Sequence, residues 1–389
     1  LGVGLGETVD EDFELNGVQA LTVALAVGEL IEEHSCEVGP CDHAEPPAWT
    51  STQVGDTVYR HPSTLRAGFP AATLLPDAPC VIQIRAKRSY GSSPEVAVYV
   101  RRCDQEAARG VLDAILVRAS ELNPFRGKPV RASVAAGLTL SVIHLPETLT
   151  RETVVVDESV WREIDLGVTA VRDRYAMLNE HALGCRRGVL LAGPPGTGKS
   201  AVSAAVANEA IAAGFTVIYV EARAGTALLT NVVEEAQRLG GPVLIVLEDV
   251  DLWCRDRSHG SSGGLSELLQ AMDIRPDARI LTLASTNDAA TLDAAAIRTG
   301  RFDSIVEVGY PDRDAAARIL SGLVDGISGE VDAPAVAGRL PEKTSGSDLR
   351  EIVRRAVLSG PGEVSTAALL AEIGSGRYRA QVPGSGQYL

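Results

Sequence analysis

Apolar residues are distributed unevenly along the chain, and their spacing changes near residue 150. The longest apolar run, Val18 to Ile31 (VQALTVALAVGELI), carries Gln19 and Glu29. It is too short to span a bilayer, so it predicts a buried helix. Residues 81–88 (VIQIRAKR) and 95–102 (EVAVYVRR) are rich in β-branched side chains and flank SYGSSP, which predicts a hairpin. Val111, Leu112, Ile115, Leu116 and Ala119 recur at helical spacing. They predict a helix from Asp104, its cap, to about Asn123. Leu138 to Leu145 (LTLSVIHL) reads as a further strand. Residues 1–150 are therefore expected to form an α+β module, and its role would be to receive substrates or adaptors.

From residue 151 the pattern becomes strand–helix alternation. GVLLAG, FTVIYVEA, PVLIVLED and RILTLAST are short continuous apolar runs with helical segments between them. Such runs suit a parallel α/β sheet covered on both faces. After Pro311 the pattern is helical throughout (DAAARILSGLV, GSDLREIVRRAV, STAALLAEIG). The expected domains are 1–150, 151–312 for the α/β core, 313–374 for a helical lid, and a flexible tail over 375–389, where Gly and Ser recur.

Composition changes this picture little. Apolar residues make up 45% of the chain and aromatic ones 4%, so Val, Leu, Ile and Ala must build the core. A net charge of −15 argues against a general nucleic-acid or anionic-membrane binder. Six cysteines in 389 residues are no disulfide framework, and they point to a reducing, cytoplasmic setting. The acidic stretch ETVDEDFEL (Glu7 to Leu15) is the opposite of a signal peptide.

The strongest chemical signal is GPPGTGKS: Gly193, Pro194, Pro195, Gly196, Thr197, Gly198, Lys199 and Ser200. It fits G-x-x-x-x-G-K-[ST], follows a predicted strand and opens a predicted helix, which is the context the motif requires. Glycines let backbone N–H groups curl around phosphate oxygens, and the helix N-terminus favours negative charge. Lys199 is placed to bridge β- and γ-phosphates, and Ser200 to offer its hydroxyl to Mg²⁺. ATP and Mg²⁺ are the expected ligands.

VLIVLEDVD (Val243 to Asp251) is an apolar strand ending in carboxylates. Such a strand places one acid at the metal and a second near the attacking water. The usual order is Asp then Glu; here Glu248 precedes Asp249. By backbone position Glu248 serves the metal and Asp249 polarises water. In LASTND, Asn287 sits where an amide could orient that water. In LDAAAIRTGRFD, Arg298 and Arg301 lie three apart. They suit an anionic transition state, or else form ordinary surface ion pairs.

Phosphate loop, acidic strand, STN and IRTGRFD…GYPD, in this order, resemble an AAA ATPase with the second region of homology, over about residues 151–375. The resemblance implies that Asn287 is the sensor-one residue. Arg298 and Arg301 would be fingers completing a neighbour's site, so it also implies a ring of identical chains, usually a hexamer. Gly346 and Ser347, in SGSDL, would lie near the nucleotide. LEDVD is similar to the acidic strand of the mitochondrial Rieske-protein translocase and its bacterial relatives, but this sequence lacks that family's transmembrane helix. The aromatic–hydrophobic–Gly pore loop of family unfoldases is absent from EARAGTALLTN (Glu221 to Asn231). SHGSSGG (Ser258 to Gly264) occupies the place of the second pore loop.

The last four residues, Gly386, Gln387, Tyr388 and Leu389, match the C-terminal string of actinobacterial proteasome activators. That resemblance implies docking on a 20S core particle and protein substrates delivered to it. Residues 1–150 show no sustained heptads, unlike the coiled coil of the usual bacterial proteasomal ATPase. Finally, HSCEVGPCDH holds His34, Cys36, Cys41 and His43, a set compatible with zinc but not at a standard finger spacing.

Overall fold

The computed structural model describes residues 1–2, 4–41, 46–87, 93–134, 137–220, 227–251, 276–288, 301–360 and 362–379. In chain order the first elements are β1 (Thr8–Glu14), α1 (Gly17–Glu33), β2 (Glu37–Gly39), β3 (Ala48–Val54), β4 (Thr57–Phe69), β5 (Cys80–Arg85) and β6 (Glu95–Arg101). There follow α2 (Gln105–Glu121), β7 (Pro129–Val134), β8 (Leu138–Val142), α3 (Glu158–Arg172), α4 (Tyr175–Glu180), β9 (Arg187–Ala192) and α5 (Lys199–Ala212). Next come β10 (Thr216–Val220), α6 (Ala227–Leu239), β11 (Val243–Leu247), β12 (Ile280–Thr286) and β13 (Ser304–Glu307). The C-terminal helices are α7 (Arg313–Val324), α8 (Ala333–Ala337), α9 (Gly346–Ser359) and α10 (Thr366–Ser375). No helix among the described residues is long and apolar enough to cross a membrane.

The chain divides into two compact units: 1–144 with 215–243, and 145–214 with 244–389. The stretch from Phe215 to Val243 thus groups with the N-terminal residues, although it follows the phosphate loop in sequence.

In the first unit β1, β6, β5, β4 and β2 pair in that order, with β3 also on β4, and every described pairing of these strands is antiparallel. The predicted hairpin is β5–β6, with Val81 opposite Tyr99 and Arg85 opposite Glu95. Helices α1 and α2 cover the sheet. Their apolar faces bury Val23, Ala24, Val27, Leu112 and Ile115 against Leu65, Ile82, Ile84, Val96 and Val98. The Asn16 side chain caps α1 by accepting from Val18 N and Gln19 N at 2.9 and 2.8 Å. Gln19 Oε1 returns the bond to Asn16 N, completing a capping box. Asp104 stands at the start of α2 but does not cap it, contrary to expectation. Its carboxylate is held by Arg101 Nε at 2.8 Å, and a turn of 3-10 helix precedes α2. The same unit holds β10, parallel to β7, which is in turn antiparallel to β8.

The second unit is built on β9, with β12 parallel on one side and β13 parallel on the other. β11 lies next to β12, and all its residues are buried. Asp157 caps α3 through Ser159 N, and α3 packs on β9, β12 and β13. Helices α7 to α10 enclose a separate small core that includes Leu320, Val336, Leu349, Ile352 and Leu369. Tyr378 is buried in this cluster. Arg379 donates to Lys343 O and pairs with Asp348 at 3.2 Å. The expected tail over 375–389 is therefore folded as far as Arg379, because an aromatic ring and a guanidinium within it find partners on the lid.

Candidate nucleotide site

The loop between β9 and α5 is shaped by its glycines. Gly196 and Gly198 have φ of 77° and 109°, values open to glycine at little cost. A Cβ at Gly193 would collide with the Val308 carbonyl. One at Gly196 would strike the hydroxyls of Ser347 and Ser345. The loop is thus packed between β13's exit and the start of α9, while Gly198 has open space beside it. Ser345 caps α9 in a capping box with Asp348, and Ser347 N donates to Gly196 O at 3.1 Å. Thr197 Oγ1 donates to Pro194 O and braces the loop from within.

Lys199 is buried at the first position of α5. Its three ammonium protons are directed at Gly193 O, Pro194 O and Asn287 Oδ1, at 2.7, 2.9 and 2.9 Å. Burial pushes its pKa below the ordinary lysine value, and the negative charges of Asp249 and Asp251 oppose that shift. Asn287, at the end of β12, donates its Nδ2 to Asp249 Oδ1 at 3.0 Å. One amide therefore joins the phosphate-loop lysine to the acid expected to polarise water. Asp249 is held in the left-handed region, φ 50°, and its N–H donates to Ser285 Oγ. A non-glycine residue fixed there stores of order 1–3 kcal/mol of strain, a feature that collects at functional sites.

Glu248 is half-buried beside Asp249, and Ser200 is exposed on the first turn of α5. Both are open to a cation. Sequence reasoning missed Asp251. It is 2% exposed. Its Oδ1 accepts from Thr286 Oγ1 at 3.3 Å and from Asn287 N at 3.2 Å. A third acid two residues beyond Glu248 and Asp249 was the available signal.

Beside the loop lies a cavity of about 430 Å³. Val155, Val156, Thr197, Tyr310, Ala315 and Ile319 are among its lining. Asp157, Glu158, Glu307, Asp312, Asp314 and Arg318 line it as well, so the cavity beside the loop is of mixed character, with more acidic than basic side chains.

Of the expected arginines, Arg301 is half-buried just before β13, and Arg298 lies outside the described residues. Gly386 to Leu389 and most of the two pore stretches also lie outside them. Tyr219, just ahead of the first pore stretch, belongs to β10.

Of the zinc set, the described members His34, Cys36 and Cys41 do not form a metal-ligating group. Cys36 Sγ donates to Ile31 O and Cys41 Sγ to Ile84 O, while burial raises the Cys36 thiol. His34 ends α1 and meets the Phe69 ring edge-on; His43 is outside the described residues. Among the described residues no group of three metal-ligating side chains forms. Two thiols already spent on carbonyls do not fit a thiolate-bound metal.

Residues 189–310 match the model of the ATPase family associated with various cellular activities (AAA). The chain carries an AAA ATPase domain. The AAA domain begins on β9 and contains the loop, both acids, Asn287 and Arg301. The ATP-dependent zinc metalloprotease FtsH 1 of Conexibacter woesei is 37% identical over 194 residues, 46% of this chain and 29% of that protein. The FtsH metalloprotease of Synechococcus is 36% identical over 194 residues, 46% of this chain and 30% of that protein. That of Cutibacterium acnes is 34% identical over 187 residues, 44% of this chain and 26% of that protein. The chain thus spans less than a third of the length of the curated relatives it matches.

Proposed function

We propose that the protein is a ring-forming, Mg-dependent ATPase that docks on a bacterial 20S core particle through Gly386 to Leu389 and delivers protein substrates to it. The observation that carries the ATPase reading is the Lys199–Asn287–Asp249 chain of hydrogen bonds. A γ-phosphate that attracts Lys199 must draw a proton donor away from Asn287, and so acts directly on the group that orients Asp249. Lys199 then stabilises the charge on the phosphoryl oxygens. Asn287 and Asp249 position the attacking water, and Asp249 takes up its proton as the β–γ bridging bond breaks. Ser200 and Glu248 would hold Mg²⁺, which neutralises phosphate charge. Arg298 and Arg301 would reach the phosphates of a neighbouring subunit, and Gly346 and Ser347 the nucleotide side of the loop.

The docking reading rests on the terminal string. With residues through Arg379 anchored on the lid, ten residues remain, which reach at most about 35 Å when fully extended. Six short tails on one ring gain affinity through effective concentration. The pattern H-E-x-x-H does not occur in the sequence. No peptidase step is assigned to the described site, and the second reading is an AAA chaperone or translocase that works without a protease, the terminal string being incidental.

Full-length Asp249→Asn is the test. It is expected to bind ATP, to lose turnover by at least about a hundredfold, and in the ATP-loaded form to pull down 20S particles. Near-normal turnover overturns the acid assignment. Separately, if removing Gln387 to Leu389 leaves association and degradation unchanged, docking fails and the chaperone reading stands.

A further inference from the structure

The first unit carries a groove of about 450 Å³ between α1 and α2. Leu30 of α1, Leu74 and Leu75 after β4, and Gly110, Val111 and Ala114 of α2 line it. Its wall is unusual at Gly110. Glycine inside a helix costs about 1 kcal/mol relative to alanine. Nothing demands it here: φ is not in the left-handed region, and a Cβ would have no atom within 4 Å. What the missing side chain leaves open is the groove itself.

The rim of the groove is acidic. Arg118 binds Glu29 with two bonds, at 2.6 and 2.8 Å, and also Glu121 at 2.8 Å. Glu33 lies one turn beyond Glu29 and makes no ion pair among the described residues. Glu29, Glu33 and Arg118 line the groove, and Glu121 holds the same guanidinium from beside it. Glu29 and Glu33 stand toward the C-terminal end of α1, whose last turn contains no basic residue, and Glu121 ends α2. A helix C-terminus is already the negative pole, where cations are stabilising.

We infer that this groove docks an apolar polypeptide segment bearing a lysine or arginine. Its aliphatic side chains would lie between α1 and α2, and its cation would sit against Glu33 and the end of α1, in the manner of a helix or extended peptide in a groove. The inference concerns binding by the first unit and does not depend on hydrolysis or on docking to a protease.

The test uses the full chain and a short fluorescein-labelled peptide of leucine, alanine and lysine, read by anisotropy. Its twin has glutamate for each lysine. The lysine peptide is expected to bind at least about tenfold more tightly than the twin. Gly110→Leu, which fills the groove from an open helix position, should weaken binding about tenfold or more. Glu33→Lys should weaken it several-fold, with ATP turnover unchanged in both variants. Circular dichroism checks that each is folded. The inference is overturned if the lysine peptide does not bind, if both peptides bind equally, or if Gly110→Leu binds as the parent does. Self-association of the chain that Gly110→Leu abolishes, with no peptide binding, would assign the groove to a second copy instead.

Discussion

Three acids follow β11 closely, and burial sorts them. Glu248 and Asp249 remain accessible to a ligand, whereas Asp251 is enclosed and holds the end of β12. Removing it leaves Thr286 Oγ1 and Asn287 N short of an acceptor, at a cost of about 1–3 kcal/mol. It also frees Asn287 to drift, and small displacements at a reacting centre cost up to about a hundredfold in rate. Asp251→Ala should therefore slow ATP turnover at least about tenfold while nucleotide affinity, measured by titration, is kept. Asp251→Asn retains the accepting oxygen and should lie between that variant and the parent. Glu235 of α6 is a different buried acid. It accepts from Asn123 Nδ2 and Arg238 Nη1, both at 3.4 Å. Burial raises its pKa, and Arg238 opposes the shift only in part. A raised carboxyl takes up a proton more readily folded than unfolded. Its stabilising effect is greatest in acid and is lost as pH rises through the folded pKa. Glu235→Gln should thus melt higher than the parent at about pH 8, by about 1 kcal/mol in stability, with the gap closing toward about pH 5.

Elements differ in how plainly their sequences announce them. The phosphate loop was legible because its chemistry admits few residues, and the Gly193 and Gly196 contacts show why. Helix α1 was legible because one long, predominantly apolar run, with Gln19 and Glu29 within it, is buried on most sides. β1 was not, because TVDEDFE looks like a run of charge. Its inward face is Val9, Glu11 and Phe13: the two apolar residues pack on the core, and Glu11 is satisfied by Gln105 and Arg109. β7 was hidden for another reason, since PVRASV has only two valines, and its place is set by pairing with β10 some ninety positions later. Non-local pairing also explains why Phe215 to Val243 joins the N-terminal residues. The α1 capping box is a local device with a measurable weight. Asn16→Ala leaves Val18 N and Gln19 N without their acceptor and should cost about 1 kcal/mol. Urea unfolding of the full chain would register it as a lower midpoint, and a Thr at position 16 should recover part of the loss.

At the scale of the whole molecule, the question is whether one chain completes its own site. Lys199, Asn287 and Asp249 are joined within one unit. Arg301 lies just before β13, on the far side of β9 from β12. If it acts in a neighbour's site, then Lys199→Ala and Arg301→Ala damage different halves of each interface. Neither variant alone should turn over ATP appreciably. When the two are coexpressed in equal amounts, a site is intact only where an unaltered Lys199 meets an unaltered Arg301 from the next subunit. Random assembly gives that pairing at roughly a quarter of interfaces. Mixed rings should therefore recover up to about a quarter of the parent rate, whereas mixing the variants after assembly should recover none. If Arg301 served its own subunit, every site in the mixed ring would carry one lesion and no activity would return. Ring assembly by light scattering, measured on the same samples, separates that outcome from a failure of the variants to associate.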